Sequence, residues 1–295
     1  MGVRGLISVL DRTCGDVAKQ EVRGDQLAEL QAETAAGQQG DRAVLVVDAM
    51  NLLFHLAGLE NGLGVEEGLH AFCLLLQEQG VRAACVFDSN KMSMQRKLLA
   101  NDRRRQRTEA IKELEVIRNK HGTELPEHVK RKRAVLRSRT IHVGPKQVRA
   151  AWDQLSKSGV CTVLMAPDEA DSVCVDMVKR GVAFACLSND SDMFVRGCSV
   201  VLRQYDPVGG CFELWNTSVI YASLGMTPER FAAVCEAANQ AKHTHTELYE
   251  AMVAEGAMVE TKMRAVHPMK NDGMELTWRR GIKVVSWGQR AAEGV

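Results

Sequence analysis

Six acidic residues stand at positions from which their side chains could meet. Each one ends a short apolar run, follows such a run, or opens the next helical segment. The six residues are Asp48, Asp88, Glu169, Asp171, Asp190 and Asp192. Carboxylates gathered in one place repel one another and cannot all ionise unless cations lie between them. The pattern therefore predicts a site for one or two Mg²⁺ or Mn²⁺ ions, which prefer oxygen ligands and can promote phosphodiester hydrolysis.

Each acid taken singly has a more ordinary explanation. Glu169 could be a first-turn acid of a helix, and Asp190 and Asp192 could be turn residues. A charge at the end of an apolar strand, as at Asp48 and Asp88, is costly unless something pairs with it. Acids at four strand ends together favour shared ions, and an ion-stabilised structural site remains the alternative to a catalytic one.

Four short apolar runs precede the acids and predict β-strands. They cover residues 43–47, 83–87, 162–165 and 183–187. Helical patterns lie between them, for example Val148, Trp152 and Leu155 spaced along one helix face. Strands that alternate with helices predict an α/β fold with a parallel sheet, which binds ligands at the carboxyl ends of its strands. The polar segment 15–42 predicts a helix or loop before the first strand.

Residues 91–146 differ from the rest of the chain in their charge. They contain 17 lysines and arginines against six aspartates and glutamates, whereas the whole chain has a formal net charge of only +1. Such a local excess predicts a phosphate-binding surface, and a solvated helix face is the ordinary alternative. No aromatic residue occurs in this stretch, so nothing in it indicates stacking on single-stranded bases.

The nine cysteines form no C-x-x-C pair and no spacing typical of a zinc site. Cys73, Cys85, Cys161 and Cys186 lie inside apolar runs, which predicts buried, reduced thiols in an intracellular protein. The N-terminal segment lacks the apolar core of a secretory signal. No run of roughly 18 apolar residues occurs, so we expect no membrane-spanning segment and no membrane partner.

Five segments carry a family resemblance when they are taken in order. They are Met1-Gly-Val-Arg-Gly-Leu6, Val46-Val-Asp48, Val86-Phe-Asp88, Ala166-Pro-Asp-Glu169-Ala-Asp171 and Asn189-Asp190-Ser-Asp192. In residue types, order and approximate spacing the set resembles the structure-specific 5′ nucleases of the flap endonuclease/XPG type, within the PIN-like superfamily. The last segment closely resembles that family's E-D-x-D motif. The resemblance implies a three-layer PIN-like fold with a mostly parallel central sheet, Mg²⁺ or Mn²⁺ as cofactor, and DNA or RNA as partner.

The resemblance also assigns roles in the basic stretch and at the N-terminus. Arg96 and Arg103 are seven residues apart and so share a helix face; they match two family side chains that reach the scissile phosphate. With Asp48 and Asp88 they are the implied catalytic residues. The implied nucleic-acid contacts are Gly2, Arg96, Arg103, Arg104, Arg105 and Arg107. The stretch as a whole corresponds to the family's basic helical arch.

The chain departs from the family pattern after Cys235. The family has a further metal-binding aspartate there and then a helix-hairpin-helix, whereas this chain has alanine near position 241 and no recognisable hairpin. We therefore divide the chain into a nuclease domain at 1–235, with the arch at 91–146, and a small divergent C-terminal helical region at 236–295.

Two functions follow from this pattern. The first is a divalent-metal-dependent nuclease that hydrolyses DNA or RNA, in which Glu236 or Glu247 could replace the missing aspartate. The second is a nuclease-derived scaffold with little or no turnover, which binds nucleic acid as a subunit of a larger ribonucleoprotein or repair complex. We expect the protein in the nucleus, with the cytoplasm or the mitochondrion as alternatives.

Overall fold

A mixed β-sheet of seven strands lies at the centre of the structure. The structure is a computed structural model that describes residue 3 and residues 5–35, 44–59, 63–89, 94–121, 125–244, 246–254, 274–279 and 282–287. The strands of the sheet are β1 Lys19–Arg23, β2 Val44–Asp48, β3 Ala83–Phe87, β4 Cys161–Met165, β5 Ala183–Leu187, β6 Val200–Asp206 and β7 Cys211–Asn216. Their spatial order is β1-β7-β6-β5-β2-β3-β4. Strands β8 Met274–Arg279 and β9 Ile282–Trp287 pair separately with each other.

The sheet is parallel over most of its width. Strands β6, β5, β2, β3 and β4 run parallel, and β7 and β1 continue the sheet in antiparallel pairs. In the register of the central strands, Asp48 lies opposite Val86 of β3, and Val47 lies opposite Leu187 of β5. The carboxyl ends of β2, β3 and β5 therefore meet at the same level on one edge.

Helices cover both faces of the sheet. They are α1 Leu6–Ala18, α2 Leu27–Ala35, α3 Ala49–Gly58, α4 Val65–Glu78, α5 Met94–His121, α6 Glu127–Thr140, α7 Pro145–Lys157, α8 Ala170–Lys179, α9 Asp192–Val195, α10 Thr217–Leu224, α11 Pro228–Gln240 and α12 at 246–254. Of these described helices, none combines the length and the apolar character needed to cross a membrane.

Alternating side chains of the central strands fill two separate cores. Val46 of β2 belongs to the core formed with α1, α8, α10 and α11, whereas Leu45 and Val47 belong to the core formed with α3, α4 and α7. Because both faces of β2, β3 and β5 are buried, these strands read as continuous apolar runs. The predicted three-layer α/β architecture with a mostly parallel sheet is confirmed.

The four predicted strands are present as β2 to β5, but β1, β6 and β7 of the same sheet were not predicted. The segment 15–42, expected to be helix or loop, contains the end of α1, then β1, then α2. Of the five residues of β1, Val22 alone is buried, because the strand lies at the sheet edge and pairs through its backbone with β7. A strand stabilised by pairing with a distant partner carries little apolar periodicity of its own.

The cysteines are all free thiols. Cys73, Cys85 and Cys186 are buried as predicted, but Cys161 is only partly buried. The reason is that Cys161 opens β4, an edge strand whose residues are mostly exposed.

The basic stretch forms a helical hairpin. Helices α5 and α6 pack against each other through a small apolar core of their own, made of Ala110, Ile117, Val129 and Leu136. Its outer faces are polar, so the hairpin is a charged projection stabilised by a narrow apolar seam. A helical arch at this position agrees with the sequence expectation.

The expected domain boundary at 235/236 lies inside α11. Ala238 of α11, with Leu248 and Met252 of α12, belongs to the same core as α1 and α8. These three residues of the expected C-terminal region therefore share a core with the sheet. The division into two domains stays a prediction.

Phe194 offers a test of the core beneath the acidic edge. It is fully buried and its ring contacts that of Trp215 edge-on, with 5.8 Å between the centroids. We expect Phe194→Ala to lower the free energy of unfolding by about 3–5 kcal/mol, because burial and packing are both lost. Urea denaturation measures the change.

The control for this substitution is Val208→Ala. Val208 is 71% exposed in the turn between β6 and β7, so its truncation should change the unfolding free energy by no more than about 0.5 kcal/mol. Equal effects of the two substitutions would contradict the packing described for Phe194.

Candidate functional site

The predicted acids lie together at the carboxyl edge of the parallel strands. Asp48 ends β2, Asp88 follows β3, and the other four follow β4 and β5 at Glu169, Asp171, Asp190 and Asp192. Asp48 is within electrostatic range of Asp88 and Asp171. The charge of Asp190 acts in turn on both Asp171 and Asp192. Residues that lie far apart in the sequence therefore share one pocket of negative potential.

Asp48 is the buried member of the group. Its side chain is held at both oxygens: Oδ1 accepts a hydrogen bond from the Asn51 backbone N–H at 3.0 Å, and Oδ2 accepts one from the Ser188 hydroxyl at 3.2 Å. The residue is only 6% exposed. Burial raises the pKa of Asp48 to about 8; the Asn51 hydrogen bond opposes this rise, and the charges of Asp171 and Asp88 add to it.

Asp88 connects β3 to the helix that carries two other acids. Its Oδ1 accepts a hydrogen bond from the backbone N–H of Ala170, the first residue of α8, at 3.0 Å. Asp88 thus caps the positive end of α8 from another strand. Glu169 occupies the N-cap position itself but makes no side-chain capping bond, so helix capping does not account for this glutamate.

Glu169 is paired with a cation that the sequence did not single out. Arg196 Nη2 lies 3.0 Å from Glu169 Oε2, and Nη1 donates to the Ser172 hydroxyl at 2.7 Å. The Arg196 charge also favours the ionised forms of Asp171 and Asp192, whose pKa values are raised above the ordinary range by burial and by Asp190. Arg196 therefore neutralises part of the acidic cluster.

The segment after β5 folds into a tight turn. Asp190 Oδ1 accepts a hydrogen bond from the Asp192 backbone N–H at 3.0 Å, a local contact typical of aspartate in turns. Between them, the Ser191 hydroxyl donates to the Val3 carbonyl at 3.4 Å. The start of the chain thus lies beside the acidic cluster, although Gly2 itself is outside the described residues.

The donor set fits a hard divalent ion in its chemistry. The six acids offer oxygen ligands alone, which suits Mg²⁺ or Mn²⁺. Among the described side chains, however, no three acidic, histidine or cysteine groups are arranged closely enough to hold a metal ion as they stand. Such an ion would have to draw the carboxylates closer together.

Helix α3, which begins at the acidic edge, also lines an arginine-rich cavity. The cavity has a volume of about 590 Å³, and it opens between α3, α5 and the end of α6. Its lining includes Phe54, Arg103, Arg104, Arg107, Arg139 and His142. Phe54 follows Asp48 by six residues on α3, which is about 9 Å along a helix axis.

The placement of Phe54 corrects one sequence inference. The basic stretch has no aromatic residue of its own, yet the fold brings the 40% exposed ring of Phe54 to it from α3. Arg105, by contrast, is not among the cavity residues and pairs with Glu109 at 2.9 Å. Arg96 belongs to α5, but its side chain is outside the described residues.

Part of this chain is similar in sequence to known nucleases. Residues 161–240 match the model described as the XPG I-region, and this range contains the acids of β4, α8 and β5. Flap endonuclease 1 of Trypanosoma brucei gambiense is 29% identical over 217 residues, which cover 69% of this chain and 50% of that protein. The chain is therefore similar to the XPG/flap endonuclease family over these ranges.

Two solved structures share the fold of this chain. The flap endonuclease-1 structure from Methanococcus jannaschii has a TM-score of 0.51 at 15% identity, covering 86% of this chain and 80% of that one. The Holliday junction-resolving enzyme GEN1, solved with product DNA and Mg²⁺, has a TM-score of 0.53 at 18% identity, covering 90% and 56%. The chain spans about half the length of the curated relatives it matches.

Among the residues that the structure describes, none evidently replaces the further aspartate of the family pattern. Ala241 is exposed at the end of α11, and Glu236 is exposed on the same helix. Glu247 accepts hydrogen bonds from both the backbone N–H and the hydroxyl of Thr244, which lowers its pKa. Glu247 therefore caps its own helix.

The raised pKa of Asp48 predicts how stability depends on pH. The folded protein holds a proton there up to a pKa of about 8, whereas the ordinary value is 3.8. Between these values folding takes up a proton, so the contribution of Asp48 to the unfolding free energy falls as pH rises. The urea midpoint is measured in EDTA at pH 5, 6, 7 and 8. It should fall less steeply with rising pH in Asp48→Asn than in the parent protein.

Asp153→Asn is the matched control, because Asp153 is an exposed acid on α7. The control should keep the slope of the parent protein. If Asp48→Asn has that same slope, the burial of an ionisable group at this position is refuted.

Proposed function

We propose that the chain is a divalent-metal-dependent nuclease that hydrolyses phosphodiester bonds at the edge formed by β2, β3, β4 and β5. One observation carries this proposal. Carboxylates from four strand ends converge at one edge, and α3, the helix that Asp48 caps, carries the exposed ring of Phe54 into an arginine-lined cavity. The first feature suits metal ions and the second suits a nucleic-acid strand.

The acids are the groups that would hold the ions. They are Asp48, Asp88, Glu169, Asp171, Asp190 and Asp192. GEN1 has been solved with product DNA together with Mg²⁺, and also with Mg²⁺ and Mn²⁺, which supports the same choice of ions here. Bound ions would act as Lewis acids and lower the pKa of an attacking water.

The burial of Asp48 explains why an ion would be favoured. A carboxylate that is 6% exposed and close to Asp171 and Asp88 is costly to ionise in the free protein. A divalent ion binds the ionised form, so metal binding and loss of the Asp48 proton are coupled. Asp88 stays oriented by its hydrogen bond from α8.

The cavity would hold the nucleic acid. Arg103, Arg104 and Arg107 can make charge-assisted contacts to phosphate oxygens, and Phe54 can stack on a base without regard to sequence. Because Phe54 is on the helix that Asp48 caps, a base stacked on this ring would place a neighbouring phosphate close to the acids.

DNA is the partner that the comparisons favour. The relative and one structure reported above are named flap endonucleases, and the other structure is a Holliday junction-resolving enzyme in complex with product DNA. None of these comparisons supports the ribonucleoprotein scaffold. We place the substrate as DNA with a single-stranded branch, and RNA cleavage is an outcome that the assay below can reveal.

Cleavage assays with two isosteric substitutions test the proposed activity. We expect purified protein to cleave labelled flap DNA in the presence of Mg²⁺ or Mn²⁺ but not in EDTA. Asp88→Asn and Asp190→Asn should each lower the rate by more than about 100-fold, since even groups that only support metal ligands contribute 10–100-fold. Single-stranded DNA and RNA substrates are included in the same assay.

Asp153→Asn again serves as the control and should cleave at the parent rate. The proposal fails if the parent protein cleaves none of the substrates with either ion. It also fails if both site variants cleave as fast as the control, because the activity would then come from a contaminant or from another site.

Binding measurements in EDTA, where no cleavage is expected, test the role of the cavity in nucleic-acid binding independently of catalysis. Phe54→Ala should weaken binding of a single-stranded oligonucleotide by about 1–3 kcal/mol for a stacked base. Arg104→Ala should lower the slope of log affinity against log salt by about 1, because one phosphate contact is lost. Fluorescence anisotropy over a salt series measures both quantities.

Leu74→Ala is the matched control for Phe54, because Leu74 is 44% exposed on α4 and outside the cavity. It should leave affinity unchanged. If Phe54→Ala has no more effect than Leu74→Ala, the ring does not take part in binding.

A further inference from the structure

A buried arginine lies behind the Asp190 turn. Arg203 is on β6, next to β5 in the sheet, and is only 4% exposed. Its Nη2 donates a hydrogen bond to the Asn189 carbonyl at 3.0 Å. Its Cζ lies 5.8 Å from the centre of the Phe194 ring. A buried guanidinium is costly unless its surroundings use its charge or its hydrogen bonds.

The strand distorts directly after this arginine. Gln204 has a φ of +49°, and the pairing of β6 with β7 shifts register between Arg203 and Asp206. A residue other than glycine seldom adopts a positive φ, and it does so at some cost in energy. The distortion turns the Gln204 N–H toward the Asn189 side chain, whose Oδ1 accepts from it at 2.8 Å.

Asn189 is consequently held from three directions. Arg203 binds its carbonyl, Gln204 binds its side-chain oxygen, and its own N–H donates to Asn51 Oδ1 at 2.7 Å. Asn51 is also the residue whose N–H binds Asp48. A continuous set of hydrogen bonds thus connects β6 to the acids that end β2 and follow β5.

The guanidinium keeps hydrogen-bonding capacity that no described group uses. Arg203 Nε and Nη1 are buried and have no hydrogen-bond partner in the described part of the chain. The acids that it senses electrostatically are Glu213 and Asp190. Residue 189 of the acidic turn is an amide and not a carboxylate, so it accepts a hydrogen bond from Arg203 without neutralising the guanidinium charge.

We propose that Arg203 is a positioning residue of the candidate site: its bond to the Asn189 carbonyl fixes the turn that presents Asp190, and its charge offsets part of the repulsion among the carboxylates. This inference rests on the proposed function, because it concerns how the same acids are presented to metal. Arg203 does not reach the substrate from its buried position on β6.

Metal affinity in the absence of nucleic acid tests the inference. Mn²⁺ binding to the full chain is followed by electron paramagnetic resonance of the free ion, for the parent, Arg203→Met, Arg203→Lys and Arg180→Met. Arg180 is an exposed arginine on the far end of α8 that pairs with Asp176. We expect Arg203→Met to weaken Mn²⁺ binding at least about 10-fold, the lower range for loss of a supporting group.

The lysine variant distinguishes positioning from mere folding. Lysine keeps the charge but lacks the planar fork of arginine, so Arg203→Lys should bind Mn²⁺ more tightly than Arg203→Met and less tightly than the parent. Melting temperatures are recorded in EDTA for every variant. If Arg203→Met does not fold, the test uses Arg203→Lys alone. We then expect the folded lysine variant to bind Mn²⁺ less tightly than the parent.

Two outcomes overturn the inference in different ways. If the parent binds Mn²⁺ and the folded Arg203 variants bind it within about twofold of Arg180→Met, Arg203 has a structural role alone. If the parent binds no Mn²⁺ and cleaves no substrate, the proposed function itself fails, and the inference fails with it.

Discussion

Repulsion between carboxylates that the backbone holds at one edge is the interaction around which the rest of this site is arranged. Asp48 is part of β2 and Asp88 directly follows β3, so the two cannot move apart unless the sheet is disturbed. The contacts around them lower the cost of their proximity. The N–H of Asn51 binds Asp48, and the N–H of Ala170 at the positive end of α8 binds Asp88.

Much of this arrangement is local enough to be predicted from the sequence. A strand buried on both faces must be apolar at every position, so β2, β3 and β5 stand out as short runs ended or followed by an acid. Parallel pairing then requires their carboxyl ends to coincide. The grouping of Asp48, Asp88 and Asp190 follows from those two facts, whereas the role of each acid in metal binding stays a prediction.

The elements that escaped prediction depend on contacts between distant residues. Strand β1 is a strand because it pairs with β7, and its sequence buries Val22 alone. Phe54 is on an apolar helix, and nothing local marks it as a binding residue. Its place in the cavity depends on α5 and the end of α6, which form the other walls. Arg196 and Arg203 belong to no motif. Their partners Glu169 and Asn189 lie 27 and 14 residues away, at spacings that no helix or turn rule specifies.

Arg196 and Arg203 offset the negative charge of the carboxylates in different ways. Arg196 is about one-third exposed and pairs with Glu169, so an arriving divalent ion can compete for that carboxylate while the guanidinium moves into solvent. Arg203 is buried and bound to backbone, so it cannot be displaced in the same way. One cation is therefore exchangeable and the other is permanent. A permanent internal cation reduces the net negative charge that metal ions must balance, which is consistent with a chain that has alanine near the position of the family's further aspartate.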